Sequence, residues 1–451
     1  MTLFELSAGD TAWVLISAAL VILMTPGLAM FYGGMVRANS VLNMMMMSVS
    51  TMAIVGILWM FYGYGLAFGN DVGGGLLGNP SGLVGLQDLL GPGPDGDGVL
   101  YGTIPALAFV AFQSAFAIIT VALISGAVAD RMKFGAWAIF AALWATLVYF
   151  PAAHWVFSFD GFTAETGGWI ANTIGAIDYA GGTAIHINAG TAALVLALVI
   201  GPRVGFGKRP MRPHNMTLVM LGACLLWFGW FGFNAGSALG AGWQASTAWV
   251  NTLGATGAAI VGWLVTERIR DGHFTSLGAA SGAVAGLVAI TPGCAAVSPL
   301  GALFIGFIAG ILCALAVGLK FKFGYDDSLD VVGVHLVGGL TGTLLIGFFA
   351  VSTAPNGVSG VFDGGGFAQL GAQAIGAFSV MIYSAVVTAI IALVLKAVMK
   401  IRVTPAEEVA GIDLAEHAEV GYDLSNVRYT SYQGIGHQLV VPAANKEEVS
   451  A

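Results

Sequence analysis

Roughly eleven apolar stretches of membrane-spanning length recur along the 451 residues, and no other feature constrains the fold as strongly. About 20 apolar residues cross the hydrocarbon of a bilayer, so most of this chain belongs inside one. Charged residues make up only 9%, against about 25% in soluble domains. A soluble globular domain, a disordered chain, a coiled coil and collagen are all excluded. The passes are expected at 12–32, 42–68, 104–128, 135–156, 183–200, 216–233, 248–265, 277–290, 297–319, 331–350 and 367–395. The eighth is the weakest, being short and running into Pro292 and Gly293.

Charge sets an orientation. All sixteen basic residues, from Arg37 through Arg131, Lys133, the group Arg203 to Arg212, Arg268, Arg270, Lys320 and Lys322 to the C-terminal tail, fall on alternate connections. The positive-inside rule then places the N-terminus outside and the C-terminus inside. The other connections carry only acids, Asp71, Asp95, Asp97, Asp160 and Asp178 among them. That face either concentrates cations or is acidic simply by subtraction. The residues before the first pass hold Glu5 and Asp10 and no base, unlike a cleaved signal, so a retained first helix is expected. Glycine, at 66 residues, is abundant enough for tightly packed helices. Cys224, Cys294 and Cys313 read as small buried apolar residues, and Met44 to Met47 as soft filler.

A repeat appears where an ionisable residue is buried in the membrane. Gly182-Thr-Ala-Ile-His186-Ile-Asn-Ala-Gly190 in the fifth pass resembles Val331-Val-Gly-Val-His335-Leu-Val-Gly-Gly339 in the tenth, each behind an acid, Asp178 or Asp330. Repeats five passes apart must be inverted in the membrane, and such folds place the substrate path near the midplane between their halves. The two histidines are expected to face each other there. Intramembrane ionisable residues usually line a pathway, although two neutral core imidazoles are the alternative. Neither pass offers a second ligand at metal-binding spacing. No nucleophile is paired with a positioned base, so the reading is of a non-enzyme without metal or cofactor.

Phe112 and Phe116 near the outer end of the third pass, Phe157 at the end of the fourth, and Trp230 to Phe233 in the sixth reach the outer interface. They form either an aromatic belt or a vestibule whose ring faces hold a cation, helped by the Ser237 hydroxyl. Asp178 precedes its helix by a few residues and either satisfies free backbone donors or meets the substrate.

These residues carry a resemblance. Asp178-Tyr-Ala-Gly-Gly-Thr-Ala-Ile-His-Ile-Asn-Ala-Gly190 resembles the signature of the ammonium transporter (Amt/Rh) family, on its Amt side. Phe31-Tyr-Gly-Gly34, Phe112-Gln-Ser-Ala-Phe116, Trp230-Phe-Gly-Phe-Asn-Ala-Gly-Ser237, Asp326-Asp-Ser-Leu-Asp-Val-Val-Gly-Val-His335 and Gly411-Ile-Asp-Leu-Ala-Glu-His417 resemble its other motifs in order, to about Leu424. The resemblance implies an all-α polytopic membrane protein of eleven transmembrane helices. Inverted repeats of five, at about 12–200 and 216–350, would be followed by a last helix at 367–399 to complete a transport domain over 1–399, with 400–451 as a cytoplasmic tail. It implies a homotrimer with one pore per subunit. Substrate is assigned to Phe112, Phe116, Phe157, Ser237, Asp178 and Trp230, a gate to Phe116 and Phe233, and a pore or proton relay to His186 and His335. Where Phe157 stands the family usually has tryptophan, the stronger cation-π partner.

Energetics favour one mechanism. Moving an intact ammonium ion into a low-dielectric pore costs about 20 kcal/mol in the Born limit, whereas removing its proton at pH 7 costs about 4.6 kcal/mol if a lysine-like pKa is taken as proxy. Ammonium, with methylammonium as its analogue, is therefore expected to be captured outside and to cross as ammonia, with or without its proton. The rival function is an ammonium receptor with little flux. The tail is too short for a core of its own. The resemblance implies that 411–422 docks on neighbouring subunits and that a PII-type nitrogen-sensing protein blocks the inner mouth. Membrane lipids, but no nucleic acid, complete the expected partners, and a prokaryotic inner membrane the expected location.

Overall fold

The computed structural model describes residues 5–91 and 98–422. Asp95, Asp97 and the tail from 423 onward, with Arg428 and Lys446, lie outside them. Residues through Gly421 form one compact unit. Ten helices among the described residues are long and apolar enough to cross a bilayer: α1 (Ala8–Met35), α2 (Ala38–Phe68), α3 (Ala106–Val128), α4 (Phe134–Phe157), α5 (Gly182–Ile200), α6 (Met216–Gly236), α7 (Trp243–Asp271), α9 (Pro299–Phe323), α10 (Val332–Phe349) and α11 (Ala368–Val398). The eighth expected pass is α8 (Ser276–Ile290), a 15-residue helix of about 22 Å at 1.5 Å per residue. Pro292 ends it, and buried turns through Ala296 continue its path. Two short helices, α12 (Pro405–Ala410) and α13 (Ile412–His417), follow. The extended residues are few: a two-rung hairpin pairs Leu100 with Pro105 and Tyr101 with Ile104.

Small residues set the packing. α1 lies along α6, where a methyl on Gly222 would overlap the backbone of Phe31. The α5–α10 crossing depends likewise on Gly190, whose added Cβ would strike Leu336. Such contacts bring backbones together where lipid supplies no hydrophobic drive between helices.

The basic connections converge at one end of the bundle. The buried Arg131 side chain reaches Gly201 O (2.8 Å), Ser328 Oγ (2.6 Å) and Asp326 O (2.6 Å), while Arg203 bridges Asp326 (2.8 Å) and Asp130 (3.2 Å). Burial works against ionisation of Asp326, but Arg203 and Arg131 outweigh it and hold the carboxyl below its ordinary range. The α13 segment docks on its own chain here. Asp413 accepts the free N–H groups of Leu42 (3.0 Å) and Asn43 (2.8 Å), and Glu416 accepts that of Phe134 (3.1 Å) and pairs with Lys133 at 3.3 Å. Acids thus cap the starts of α2 and α4 from a distance. At the other end, Asp10 holds Thr103 and Ala241, and Asp71 meets His154 of α4 at 3.3 Å.

Candidate functional site

The start of α5 places the site. Its first four backbone donors would be orphaned inside the protein, and Asp178 takes all of them: Oδ1 accepts from Gly181 (2.8 Å) and Gly182 (2.6 Å), and Oδ2 from Thr183 (2.8 Å) and Ala184 (3.0 Å). Burial raises this carboxyl above its ordinary range, against the pull of the four donors. The residues it organises, Gly182–Ile187, wind as a wide π-type turn that carries His186. Val332–Leu336, which carries His335, winds the same way, and Asp327 Oδ2 accepts Val332 N at 2.7 Å. Such turns are rare and often mark functional positions. The acid that takes a backbone donor at the start of the His335 turn is Asp327, whereas Asp330, taken from the sequence as the counterpart of Asp178, pairs with Lys320 at 2.7 Å.

The two histidines meet. Their Nδ1 atoms lie 3.2 Å apart, and their rings meet edge to edge with centroids 5.3 Å apart and planes 23° apart. The His186 ring also lies against Trp230 at 5.4 Å. His186 Nε2 is buried without a protein partner among the described residues. Both histidines line a narrow cavity of about 10 Å³, walled otherwise by apolar groups such as Leu28, Phe31, Ile119, Trp230 and Phe233.

A second cavity of about 70 Å³ lies on the other side of a ring pair, and Phe109, Gln113, Phe116, Phe157, Tyr179 and Ser237 contribute to its wall. Phe116 faces this cavity and Phe233 the histidine cavity, and their rings pack with centroids 4.3 Å apart, so this pair is the partition between the two. Ser237 Oγ donates to Phe233 O at 2.8 Å, which leaves its lone pairs available to a cation's N–H.

Of the residues singled out from sequence, Phe116, Phe157 and Ser237 come together around the outer cavity. Three do not join them. Trp230 lies three residues before Phe233, nearly a turn deeper along α6, where it lines the histidine cavity and donates to Thr291 Oγ1 at 2.8 Å. Phe112 is fully buried behind Phe116, at 4.8 Å between centroids. Asp178 spends its oxygens on the backbone, while its neighbours Tyr179 and Ala180 line the outer cavity. Sequence reasoning missed Phe109, Phe159, Phe162 and Tyr179 there. Gln113, a polar residue inside an apolar pass, was the legible signal.

A membrane-embedded helical bundle with two small, ring-lined cavities end to end belongs among the transport proteins that pass very small solutes. The comparison with known proteins is specific: residues 12–422 match the model of the Ammonium Transporter Family, and the chain belongs to it. It is 64% identical over 433 residues to the "Ammonium transporter" of Mycobacterium tuberculosis (strain ATCC 25618 / H37Rv), covering 92% of this chain and 91% of that one. It is 48% identical to that of Aquifex aeolicus (strain VF5), covering 93% and 95%. Among solved structures it superposes on Mep2 of Saccharomyces cerevisiae with a TM-score of 0.80 at 32% identity, covering 89% of this chain and 88% of that one. A protein described as "Sensor Amt Protein" gives 0.82 at 30%, covering 91% and 98%.

Proposed function

We propose that this protein takes ammonium into the outer cavity, strips its proton near the Phe116–Phe233 partition and passes ammonia along His186 and His335. One observation carries the reading: two imidazoles share a short Nδ1–Nδ1 contact inside an otherwise apolar cavity, with His186 Nε2 unpartnered. A hydrogen bond between two Nδ1 atoms requires one ring to donate and the other to accept. The remaining Nε2 atoms then differ, one an acceptor and one a donor, which suits a neutral ammonia molecule that does both. A permanent cation finds no carboxylate in this apolar lining.

The outer cavity suits the charged form. Ring faces of Phe116, Phe157 and Tyr179 with the Ser237 hydroxyl offer cation-π and hydrogen-bond contacts, each ring worth about 2 kcal/mol when desolvated. Five further rings beside Phe157 offset the missing tryptophan. Phe112 and Trp230 support these groups from behind rather than touching captured ammonium, and Asp178 shapes both cavities through the turn.

On this reading α8 and its buried continuation make an eleventh pass, the N-terminus lies outside and the C-terminus inside, and α1–α5 and α6–α10 are inverted halves. The protein assembles as a homotrimer in a prokaryotic inner membrane, and a PII-type protein engages the basic end. It performs no covalent chemistry beyond proton transfer. The test is uptake of radiolabelled methylammonium into proteoliposomes. Saturable uptake lost in His186→Ala supports transport, whereas ammonium binding without uptake makes the protein a receptor.

A further inference from the structure

The basic end holds a cavity of its own, apart from the histidine pair. The connection from α5 to α6 is tied down near its start: Arg203 is locked to Asp326 and Asp130, and Val204 N donates to Glu408 Oε1 at 2.6 Å. Two glycines with positive φ, Gly205 at 85° and Gly207 at 71°, then fold the chain back on itself. Phe206 stacks flat on Phe321 at the end of α9, with centroids 5.5 Å apart and planes 12° apart. Loop and helix end thereby enclose a cavity of about 340 Å³ lined by Arg203, Lys208, Arg209, Lys320, Phe321 and Ser328.

The charges in this cavity are not balanced. Arg203 is neutralised by Asp326 and Asp130, and Lys320 by Asp330. Lys208 and Arg209 form no ion pair among the described residues, and both are exposed. Among the described residues no acid lines the cavity. Two uncompensated cations on an anchored loop, beside exposed rings at Phe321 and Phe323 at the end of a membrane helix, match a group with negative charge at the head and apolar substance behind. Basic pockets at helix ends on one face of a membrane bind anionic headgroups in this way.

We infer that this cavity binds a phosphate group, held by Lys208 and Arg209, and that Phe321 and Phe323 favour its delivery as the headgroup of an anionic phospholipid. Arg209 offers a planar fork for two phosphate oxygens and Lys208 a point charge. The site shares no lining residue with the histidine cavity.

The test uses the purified full-length chain in detergent, delipidated and titrated with phosphatidylglycerol, phosphatidylcholine or inorganic phosphate, with bound ligand counted by native mass spectrometry and phosphorus NMR. The double variant Lys208→Ala with Arg209→Ala is compared with Arg268→Ala with Lys400→Ala, which removes equal charge outside the cavity. Phosphatidylglycerol should bind in preference to phosphatidylcholine, and the cavity variant should weaken it about thirtyfold, two basic side chains being worth about 2 kcal/mol. The control variant should bind as the native chain does. Binding of inorganic phosphate that the cavity variant alone abolishes, with no preference between the lipids, upholds the phosphate site and assigns it a soluble ligand. Equal losses in both variants, or no loss in either, overturn the proposal.

Discussion

His186 and His335 approach through their Nδ1 atoms at 3.2 Å, from two helices that begin with the same wide turn. Each ring therefore fixes the proton position of the other, and replacing either frees its partner. His335→Ala should lower methylammonium uptake at least tenfold, about the effect of one hydrogen bond of about 1.4 kcal/mol lost along the path. The thermal midpoint in detergent should move by only a few degrees. Unchanged uptake would remove the pair from the path.

The Phe116–Phe233 pair separates the two cavities with rings 4.3 Å apart. Phe233→Ala should cost about 3 kcal/mol of stability through the void it leaves. It should also join the cavities, so that larger methylated amines compete with ammonium better than in the native chain. Competition assays across an amine series measure this, and an unaltered size ranking would place selectivity elsewhere.

Asp178 gathers four backbone donors that have no other acceptor. Asp178→Ala should cost about 3 kcal/mol or more, because each buried donor left unpaired is expensive, and uptake should fall with the distorted His186 turn. Asp178→Asn keeps one acceptor oxygen and should fall between the two in melting temperature. A melting point equal to the native one would show that these donors find other partners.

Asp327 contributes a pH dependence of its own. Burial lifts its carboxyl to about 6, only partly offset by Lys320. An unfolded aspartate titrates near 4, so between about pH 4 and pH 6 the folded chain binds the extra proton, and stability falls as the pH rises through this window and levels off above it. Asp327→Asn keeps an acceptor for Val332 N while removing the buried charge. The variant should be more stable at pH 7, by up to about 3 kcal/mol, and its stability should fall less steeply between pH 4 and pH 6. A variant that melts lower at pH 7 would contradict this.

Arg203 is the keystone of the basic end, held by two carboxylates. Arg203→Ala should cost about 3 to 5 kcal/mol by stranding buried acids. Acidification should reproduce part of that loss in the native chain: Asp326 titrates below its ordinary range, so its contribution is complete above about pH 4 and disappears as the pH falls through its folded pKa.

The passes were legible because lipid demands long apolar runs, and every expected run reappears as a helix within a few residues at most ends. The histidine pair was legible from the repeat around His186 and His335. The wide turns were not, since they depend on Asp178 and Asp327 reaching backbone donors several residues away. Depth along a helix was equally hidden: Trp230 and Phe233 are three residues apart, yet only geometry separates a residue behind the partition from one within it. Nor could alternate loops reveal that Arg203 finds Asp326, 123 residues away.

The most direct test compares ammonium with potassium, an ion of similar size that has no proton to lose. Ion-evoked currents and vesicle alkalinisation would be recorded from the native chain and from His186→Ala with His335→Ala in the same lipid. The account expects ammonium-driven transport in the native chain, by current or by alkalinisation, with no potassium current. In the double variant that transport is lost or potassium is admitted. A potassium current through the native protein would contradict passage as ammonia.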